Sequence, residues 1–174
     1  MAKTKFDKLS IIIPVFNEVK TIERILELVG SVNVGAEKDI IIVDDCSTDG
    51  TKEILKRLGK KYKLRLFMDD ERRGYHGALK HALKIPKSDI VFFSDSDGQH
   101  DPANFWNLYE HVKDYDIISG FRIIRTDPFH RIILSRLYNI SLLPLFGTFF
   151  KDSNCGFKLI KRRVIKDILD DVKY

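Results

Sequence analysis

Residues 9–15 read LSIIIPV, and this β-branched segment predicts a buried strand. Residues 21–29 then place apolar side chains at helical spacing, and the alternation of strand and helix continues to residue 119. Further strands are predicted at 39–43, 64–68, 90–94 and 115–119, and further helices at 51–58, 74–83 and 103–112. Near-continuous apolar strands alternating with helices predict an α/β fold, with a mostly parallel sheet covered by helices on both faces. In such sheets ligands bind beyond the carboxyl ends of the strands.

The composition is that of one ordinary globular domain, which we take as residues 1–174. Of these residues 44% are hydrophobic and 32% are charged, which excludes wholesale disorder. The net charge of +5 is modest and suits an anionic ligand or a membrane surface, and we expect no nucleic-acid partner. The two cysteines form no CxxC pair, which suits a reduced, cytoplasmic setting. No apolar run approaches the roughly 20 residues of a spanning helix.

The second predicted strand runs into VDDCSTDGT, residues 43–51. A turn followed by a helix cap explains residues 47–50, because Ser, Thr and Asp accept backbone N–H bonds and Gly relaxes the backbone. It explains two adjacent carboxylates less well. The pattern therefore favours a binding role for Asp45 and leaves the role of Asp44 open.

The fourth predicted strand runs into FFSDSDGQHDP, residues 92–102. Asp95 and Asp97 stand two apart at this strand end, and Gln99 adds a further oxygen two residues on. Mg²⁺ and Mn²⁺ prefer oxygen ligands, so the pattern predicts a metal site. The alternative is a surface turn, since Asp, Ser and Gly all favour turns. Asp101 followed by a proline is typical of a helix start.

The segment RRGYHGA at residues 72–78 permits two interpretations. It would contact phosphate at a helix N-terminus, or it would be a structural turn. It matches neither the P-loop nor the G-x-G-x-x-G pattern, so a kinase-like or nicotinamide-binding interpretation is not supported.

Three segments, which occur in the expected order along the chain, resemble the motifs of family 2 glycosyltransferases. PVFNE at 14–18 resembles the first-strand signature, 43–51 is close to the second, and 95–102 resembles the metal motif. The end of the last motif is most similar to the polyprenyl-phosphate branch, the branch that resembles dolichol-phosphate mannose synthase. The resemblance implies the GT-A fold, a Rossmann-like mostly parallel sheet with helices on both faces.

The resemblance also implies roles for individual residues. The nucleotide-sugar donor would be bound by Pro14, Phe16, Glu18, Asp45 and Asp95. The metal, Mg²⁺ or Mn²⁺, would be held by Asp95, Asp97 and Gln99, and the two aspartates would be the catalytic pair.

Acceptor residues follow from the same branch, which carries a Gly-Ser-Arg, an Arg-x3-Ser-x3-Asn helix and an Asp-x3-Gly-Phe-Arg. The resemblance implies that Arg122, Arg131 and Ser135 hold the phosphate of a lipid acceptor. Phe121 stands where the branch has serine, and Lys158 where it has arginine. A lysine keeps the charge but loses the planar fork, which puts bidentate recognition at that position in doubt.

The apolar segment 129–145 contains basic insertions and predicts a helix. A buried core helix is one interpretation, and a helix lying in a membrane interface is the other. The resemblance favours the second, with peripheral contact at the cytoplasmic face of a membrane. Relatives continue beyond the Gly-Phe motif, so their C-terminal part is expected to be missing from 1–174, and a membrane-protein partner is a further expectation.

The implied reaction is inverting transfer of a hexose from a nucleotide-diphosphate sugar, of the GDP-mannose or UDP-glucose type, to a polyprenyl or dolichyl phosphate. A hydroxyl acceptor would instead need a general base. The candidate pair for that role is Asp170-Asp171, which is more easily interpreted as solvated surface. Three alternatives stay open: a hydroxyl-acceptor transferase, a nucleotide-sugar-binding module without turnover, and a nucleotidyltransferase. The last lacks its usual Gly-rich basic loop after residues 9–15.

Overall fold

The computed structural model describes residues 6–98, 100–122, 128–147 and 151–171. Its strands are β1 (Lys8–Val15), β2 (Glu37–Asp44), β3 (Arg65–Met68), β4 (Ile90–Ser94), β5 (Ile117–Ser119) and β6 (Phe157–Lys161). Its helices are α1 (Ile22–Ser31), α2 (Thr51–Gly59), α3 (Gly74–Leu83), α4 (Phe105–Tyr109), α5 (Phe129–Phe146) and α6 (Arg162–Asp171).

The strands form a six-stranded sheet in the order β3-β2-β1-β4-β6-β5. The first four strands pair in parallel, whereas β6 is antiparallel to both β4 and β5. This confirms the predicted α/β fold with a mostly parallel sheet.

Apolar side chains of the strands bury both faces of the sheet. On one face Ile11 and Ile13 belong to a core that includes side chains of α1, α2 and α4. On the other face Ile12 and Val43 pack with side chains of α3 and α6. Alternate residues of one strand thus serve opposite faces, which explains why the strand sequences are apolar throughout rather than alternating.

Two details differ from the sequence-based expectations. The helix expected at 103–112 is a 3₁₀ turn at Pro102–Asn104 followed by the short α4, although Asp101 does cap it by accepting a bond from the Ala103 N–H at 2.9 Å. Strand β6 was not predicted, because two lysines interrupt its five residues. It forms because it fits between β4 and β5, and residues distant in sequence decide that pairing.

Helix α5 lies largely outside the core. Among its side chains only Asn139 and Leu142 are buried, so in this chain α5 is not a core helix. Asn139 anchors it, since its Oδ1 accepts bonds from the Ser153 N–H at 3.1 Å and the Ser153 hydroxyl at 2.6 Å. The exposed large apolar side chains of α5 are Phe129, Ile133, Leu134, Leu137, Tyr138, Ile140, Leu143, Leu145 and Phe146. Over the described ranges, no helix combines the length and the hydropathy needed to span a bilayer.

Candidate functional site

A cleft of about 740 Å³ lies where the carboxyl ends of β1, β2 and β4 meet. Residues 14–16 form one wall, the start of α3 forms another, and residues 153–156 close the side next to β6. Four acidic side chains line the cleft: Glu18, Asp45, Asp95 and Asp97. The position is the one where parallel sheets of this class bind ligands.

The end of β1 contributes an aromatic surface to this cleft. The Phe16 ring lies under the guanidinium of Arg72, with the Arg72 Cζ 4.0 Å from the ring centroid. The next residue, Asn17, adopts a left-handed backbone with φ 55° and joins two loops. Its N–H donates to the Ser47 hydroxyl at 2.9 Å, and its side-chain oxygen accepts from the Thr48 N–H at 2.9 Å. The β1 and β2 ends are therefore held as one unit.

The two carboxylates after β2 have different surroundings. Asp44 is fully buried, where its Oδ2 accepts from the Ser47 N–H at 3.1 Å and lies 3.8 Å from the Lys52 ammonium. Asp45 lines the cleft, and its Oδ1 accepts from the Arg73 N–H at 2.6 Å. Asp44 therefore holds the loop that follows β2, whereas Asp45 faces the cleft.

Asp95 follows β4 and sits against the start of β6. Its N–H donates to the Gly156 carbonyl at 3.0 Å. A Cβ added at Gly156 would lie 1.7 Å from the Asp95 Oδ2, so only a glycine lets the carboxylate take this position. Burial, and next the charge of Asp97, raise the pKa of Asp95 to about 6, against the opposing effect of Lys158.

Glu18 belongs to the same electrostatic field. Burial raises the pKa of its carboxyl, a hydrogen bond from the Thr21 hydroxyl opposes this, and the charge of Asp97 adds to the rise. The charge of Asp97 thus disfavours the ionisation of Glu18 and of Asp95, and a bound cation would relieve this repulsion.

The residues present fit a hard divalent cation, because Asp95 and Asp97 offer carboxylate oxygens at the strand end. Gln99, the third predicted ligand, lies outside the described residues. Across the described part of the chain, no group of three or more His, Cys, Asp or Glu side chains is arranged to hold a metal. Besides the predicted Gln99, oxygens of a bound substrate would complete the ligand set.

Sequence reasoning missed several residues that the structure brings to the cleft. Tyr75, at the start of α3, has its pKa raised to about 12 by burial and then by the charges of Asp95 and Asp97. Behind the lining residues, His100 lies 3.5 Å from the sulfur of Cys155 and is stacked on the Phe157 ring with centroids 5.2 Å apart, and burial lowers its pKa. The RRGYHGA segment in the sequence already drew attention to Tyr75. Residues 153–158 reach the cleft because β6 pairs with β4, which no local sequence pattern indicates.

The predicted acceptor residues are not among those that line the described walls of the cleft. Arg122 forms a two-pronged ion pair with Asp152, at 2.8 Å from Nε to Oδ2 and 2.9 Å from the second prong to Oδ1. Arg131 is exposed near the start of α5, and Ser135, one turn further along, is half-buried. The guanidinium of Arg122 is thus paired with the carboxylate of Asp152, which directly precedes the segment that closes the cleft.

Lys158, which stands at the position of the branch's arginine, does line the cleft. Its ammonium donates to the carbonyls of Ser153 and Cys155. Burial lowers the pKa of Lys158, while the nearby Cys155, Asp95 and Asp152 oppose this. It fixes the backbone of the closing segment and places a cation within the field of the acidic cluster.

Comparison with known proteins agrees with this geometry. The model of the family described as Glycosyl transferase family 2 matches residues 10–169. An uncharacterized protein of Methanocaldococcus jannaschii is 32% identical over 90% of this chain and 73% of its own length. A dolichol-phosphate mannosyltransferase of Pyrococcus furiosus is 28% identical over 92% of this chain and 48% of its own.

Among solved structures, the fold is similar to that of glucosyl-3-phosphoglycerate synthase from Mycobacterium tuberculosis in complex with Mn²⁺, uridine diphosphate and glucosyl-3-phosphoglycerate. The TM-score is 0.68 at 22% identity, over 91% of this chain and 58% of that one. The chain thus spans about half the length of that synthase and of the Pyrococcus enzyme. Its cleft, its ordered motifs and the match over residues 10–169 lead to one conclusion: the chain belongs to glycosyl transferase family 2.

Proposed function

We propose that this domain transfers a hexose, with inversion, from a nucleotide-diphosphate sugar to a polyprenyl phosphate at the cytoplasmic face of a membrane. The observation that carries the proposal is the convergence of Asp95 and Asp97 with Phe16, Glu18 and Asp45 on one cleft. A donor of the GDP-mannose or UDP-glucose type has a nucleoside and an anionic diphosphate, and the two halves of this cleft match those needs.

The nucleoside belongs at the β1 and β2 side of the cleft. Phe16 offers a ring for stacking, and Glu18 and Asp45 offer acceptors for the N–H and O–H groups of a base and ribose. Pro14, at the same wall, closes the pocket behind them. The diphosphate then points towards Asp95 and Asp97.

The acidic pair would hold Mg²⁺ or Mn²⁺ together with the diphosphate oxygens. When bound, the cation supplies charge neutralisation for the departing nucleoside diphosphate. Asp95 and Asp97 orient that complex, and the closing segment 153–156 excludes water from it. The cation binds the ionised form of Asp95, and burial raises the pKa of that carboxyl, so protons compete with the cation for Asp95 as the pH falls.

The proposed acceptor is a phosphate, and its attack can be written without a general base. A phosphate oxygen attacks the anomeric carbon, the bond from that carbon to the diphosphate oxygen breaks, and the nucleoside diphosphate leaves with the electron pair. Since a phosphate monoester is already anionic at neutral pH, no general base is needed. Lys158 on the cleft wall offers a cation to such an acceptor. The family resemblance adds Arg122, Arg131 and Ser135 as further contacts for the phosphate.

Helix α5 supports the membrane part of the proposal. Its exposed apolar side chains are accompanied by Arg131 and Arg136, and residues 129–147 contain no acidic residue. That combination suits an interface in which apolar groups enter the acyl boundary and arginines face anionic head groups. The alternative acceptor, a hydroxyl group, lacks support because Asp170 is exposed on α6, away from the described cleft walls.

The test is a panel of labelled nucleotide sugars with Mn²⁺ or Mg²⁺, offered polyprenyl phosphate and assayed for labelled lipid. We expect one donor to give labelled lipid, and Asp97→Ala to abolish it. Asp114→Ala, at an exposed acid distant from the cleft, is the matched control and should retain activity. Full activity of Asp97→Ala, or label that appears only on hydroxyl acceptors, would contradict the proposal.

A further inference from the structure

Phe121 is an exposed aromatic residue at the edge of the candidate site. It follows β5 and is 52% exposed. The ammonium of Lys151 lies 5.1 Å from the centroid of its ring. An apolar ring and a cation therefore stand side by side.

The position of Phe121 is fixed relative to the cleft wall. The preceding Gly120 donates its N–H to the Phe157 carbonyl at 2.9 Å. A Cβ at Gly120 would lie 3.7 Å from the Cys155 sulfur, and Cys155 lines the cleft. The residue before Phe121 is thus anchored to β6 and lies near Cys155 of the cleft wall.

Arg122, which follows Phe121, and Lys151, whose ammonium lies near the ring, each contact a further part of the fold. Arg122 holds Asp152, which directly precedes the closing segment, through its two-pronged ion pair. The Lys151 carbonyl accepts from the side-chain amide of Asn139 at 3.4 Å, which brings the apolar α5 to the same place. The neighbours of Phe121 are therefore connected to Asp152 on one side and to α5 on the other.

We propose that Phe121 and Lys151 form a subsite for the apolar chain of the acceptor. The subsite binds the isoprene units that directly follow the phosphate. This rests on the proposed transfer to a polyprenyl phosphate and specifies how such an acceptor is recognised. An amphiphile with a phosphate at one end needs cations and apolar surface at adjacent points, and this edge of the cleft provides both. The ring binds the first isoprene units, and the ammonium lies beside the phosphate.

The experiment compares Phe121→Ser with Phe121→Leu and with Tyr115→Ser. Tyr115 is 60% exposed and stands before β5, so its variant controls for loss of an exposed aromatic residue away from the cleft. Binding of a long-chain polyprenyl phosphate and of a prenyl phosphate of one isoprene unit is measured in detergent micelles, together with transfer rates. Binding to vesicles without acceptor is measured in parallel.

Phe121→Ser should raise the dissociation constant and KM for the long-chain acceptor about tenfold, the change expected if roughly 60 Å² of apolar surface is no longer buried on binding. The kcat should stay unchanged, the one-unit acceptor should be less affected, and Phe121→Leu should restore most of the affinity. Equal values for Phe121→Ser and the wild type would overturn the subsite while leaving transfer to lipid phosphate intact. An equal loss of binding to acceptor-free vesicles would show that the ring contacts bulk lipid, which also overturns it. A wild type that neither binds nor uses polyprenyl phosphate would remove the proposed function itself.

Discussion

Gly156→Ala tests the geometry on which the candidate site depends. Gly156 is not among the residues with positive φ, so its backbone accepts an alanine and the effect of the change is steric. The new Cβ would lie 1.7 Å from the Asp95 Oδ2 and 1.9 Å from its Cγ. Ordinary contacts need about 3.5 Å. The carboxylate must therefore move by roughly 2 Å or the closing segment must retreat by as much, since the gap is short by the difference between these distances.

The expected consequences differ for stability and for function. Overpacking of this kind costs about 1–3 kcal/mol, which a folded domain can tolerate. A displacement of 1 Å in a reacting group already costs about 100-fold in rate, so activity should fall by at least that factor. Affinity for a nucleoside diphosphate with Mn²⁺ should fall as well, because Asp95 would no longer be placed beside Asp97.

The assay is calorimetric titration of nucleoside diphosphate with Mn²⁺, paired with thermal unfolding to show that the variant is folded. Gly59→Ala is the matched control: its Cβ would meet the Leu66 side chain at 3.4 Å, an ordinary contact, in a helix far from the cleft. A Gly156→Ala variant that binds and turns over as the wild type does would refute the reasoning, because Asp95 would then not need its observed position.

Three further predictions follow from burial and charge. Burial raises the pKa of Asp95 from 3.8 to about 6, so the fold loses stability as the pH rises between these two values and stays destabilised above them. Asp95→Asn should therefore raise the melting temperature at pH 8, with a gain that shrinks to nothing near pH 4, while nucleotide–Mn²⁺ binding is lost. Asp152→Ala leaves Arg122, whose side chain is 12% exposed, without its carboxylate, and should lower the free energy of unfolding by about 3 kcal/mol in denaturant titration. Glu23→Ala breaks an exposed pair with Arg57 and should cost less than about 1 kcal/mol; equal losses in the two variants would contradict the buried role. The double variant Leu134→Glu and Leu137→Glu should abolish sedimentation of the domain with anionic vesicles and leave nucleotide binding unchanged. The control variant Ile168→Glu, at an exposed site on α6, should change neither property. Unaltered sedimentation of the double variant would exclude α5 as the membrane contact.

Features that depend on neighbours in sequence were predictable. Strand β4 has the bounds that its apolar run predicts, and so does helix α3, because local periodicity and a buried sheet position agree there. The convergence of Asp45, Asp95 and Asp97 also followed from the rule that parallel strands end at one edge.

Features created by distant pairing were not predictable. Strand β6 contains lysines that weaken its pattern, and its pairing with β4 brings Gly156 against Asp95. The need for glycine there is set by a carboxylate far away in the sequence rather than by a turn. In the same way, the ion pair from Arg122 to Asp152 depends on the fold. The family resemblance implies a phosphate contact for Arg122 and gives no sign of this carboxylate partner.

The most direct test of the central claim is titration of GDP and UDP into the domain with and without Mn²⁺, for the wild type and for Asp97→Ala. We predict that the wild type binds at least one nucleotide, that Mn²⁺ tightens this binding at least tenfold, and that Asp97→Ala removes the dependence on Mn²⁺. Binding that is equally tight with and without the cation in both proteins, or no binding in the wild type, would contradict a metal-assisted sugar-nucleotide site between Asp95 and Asp97.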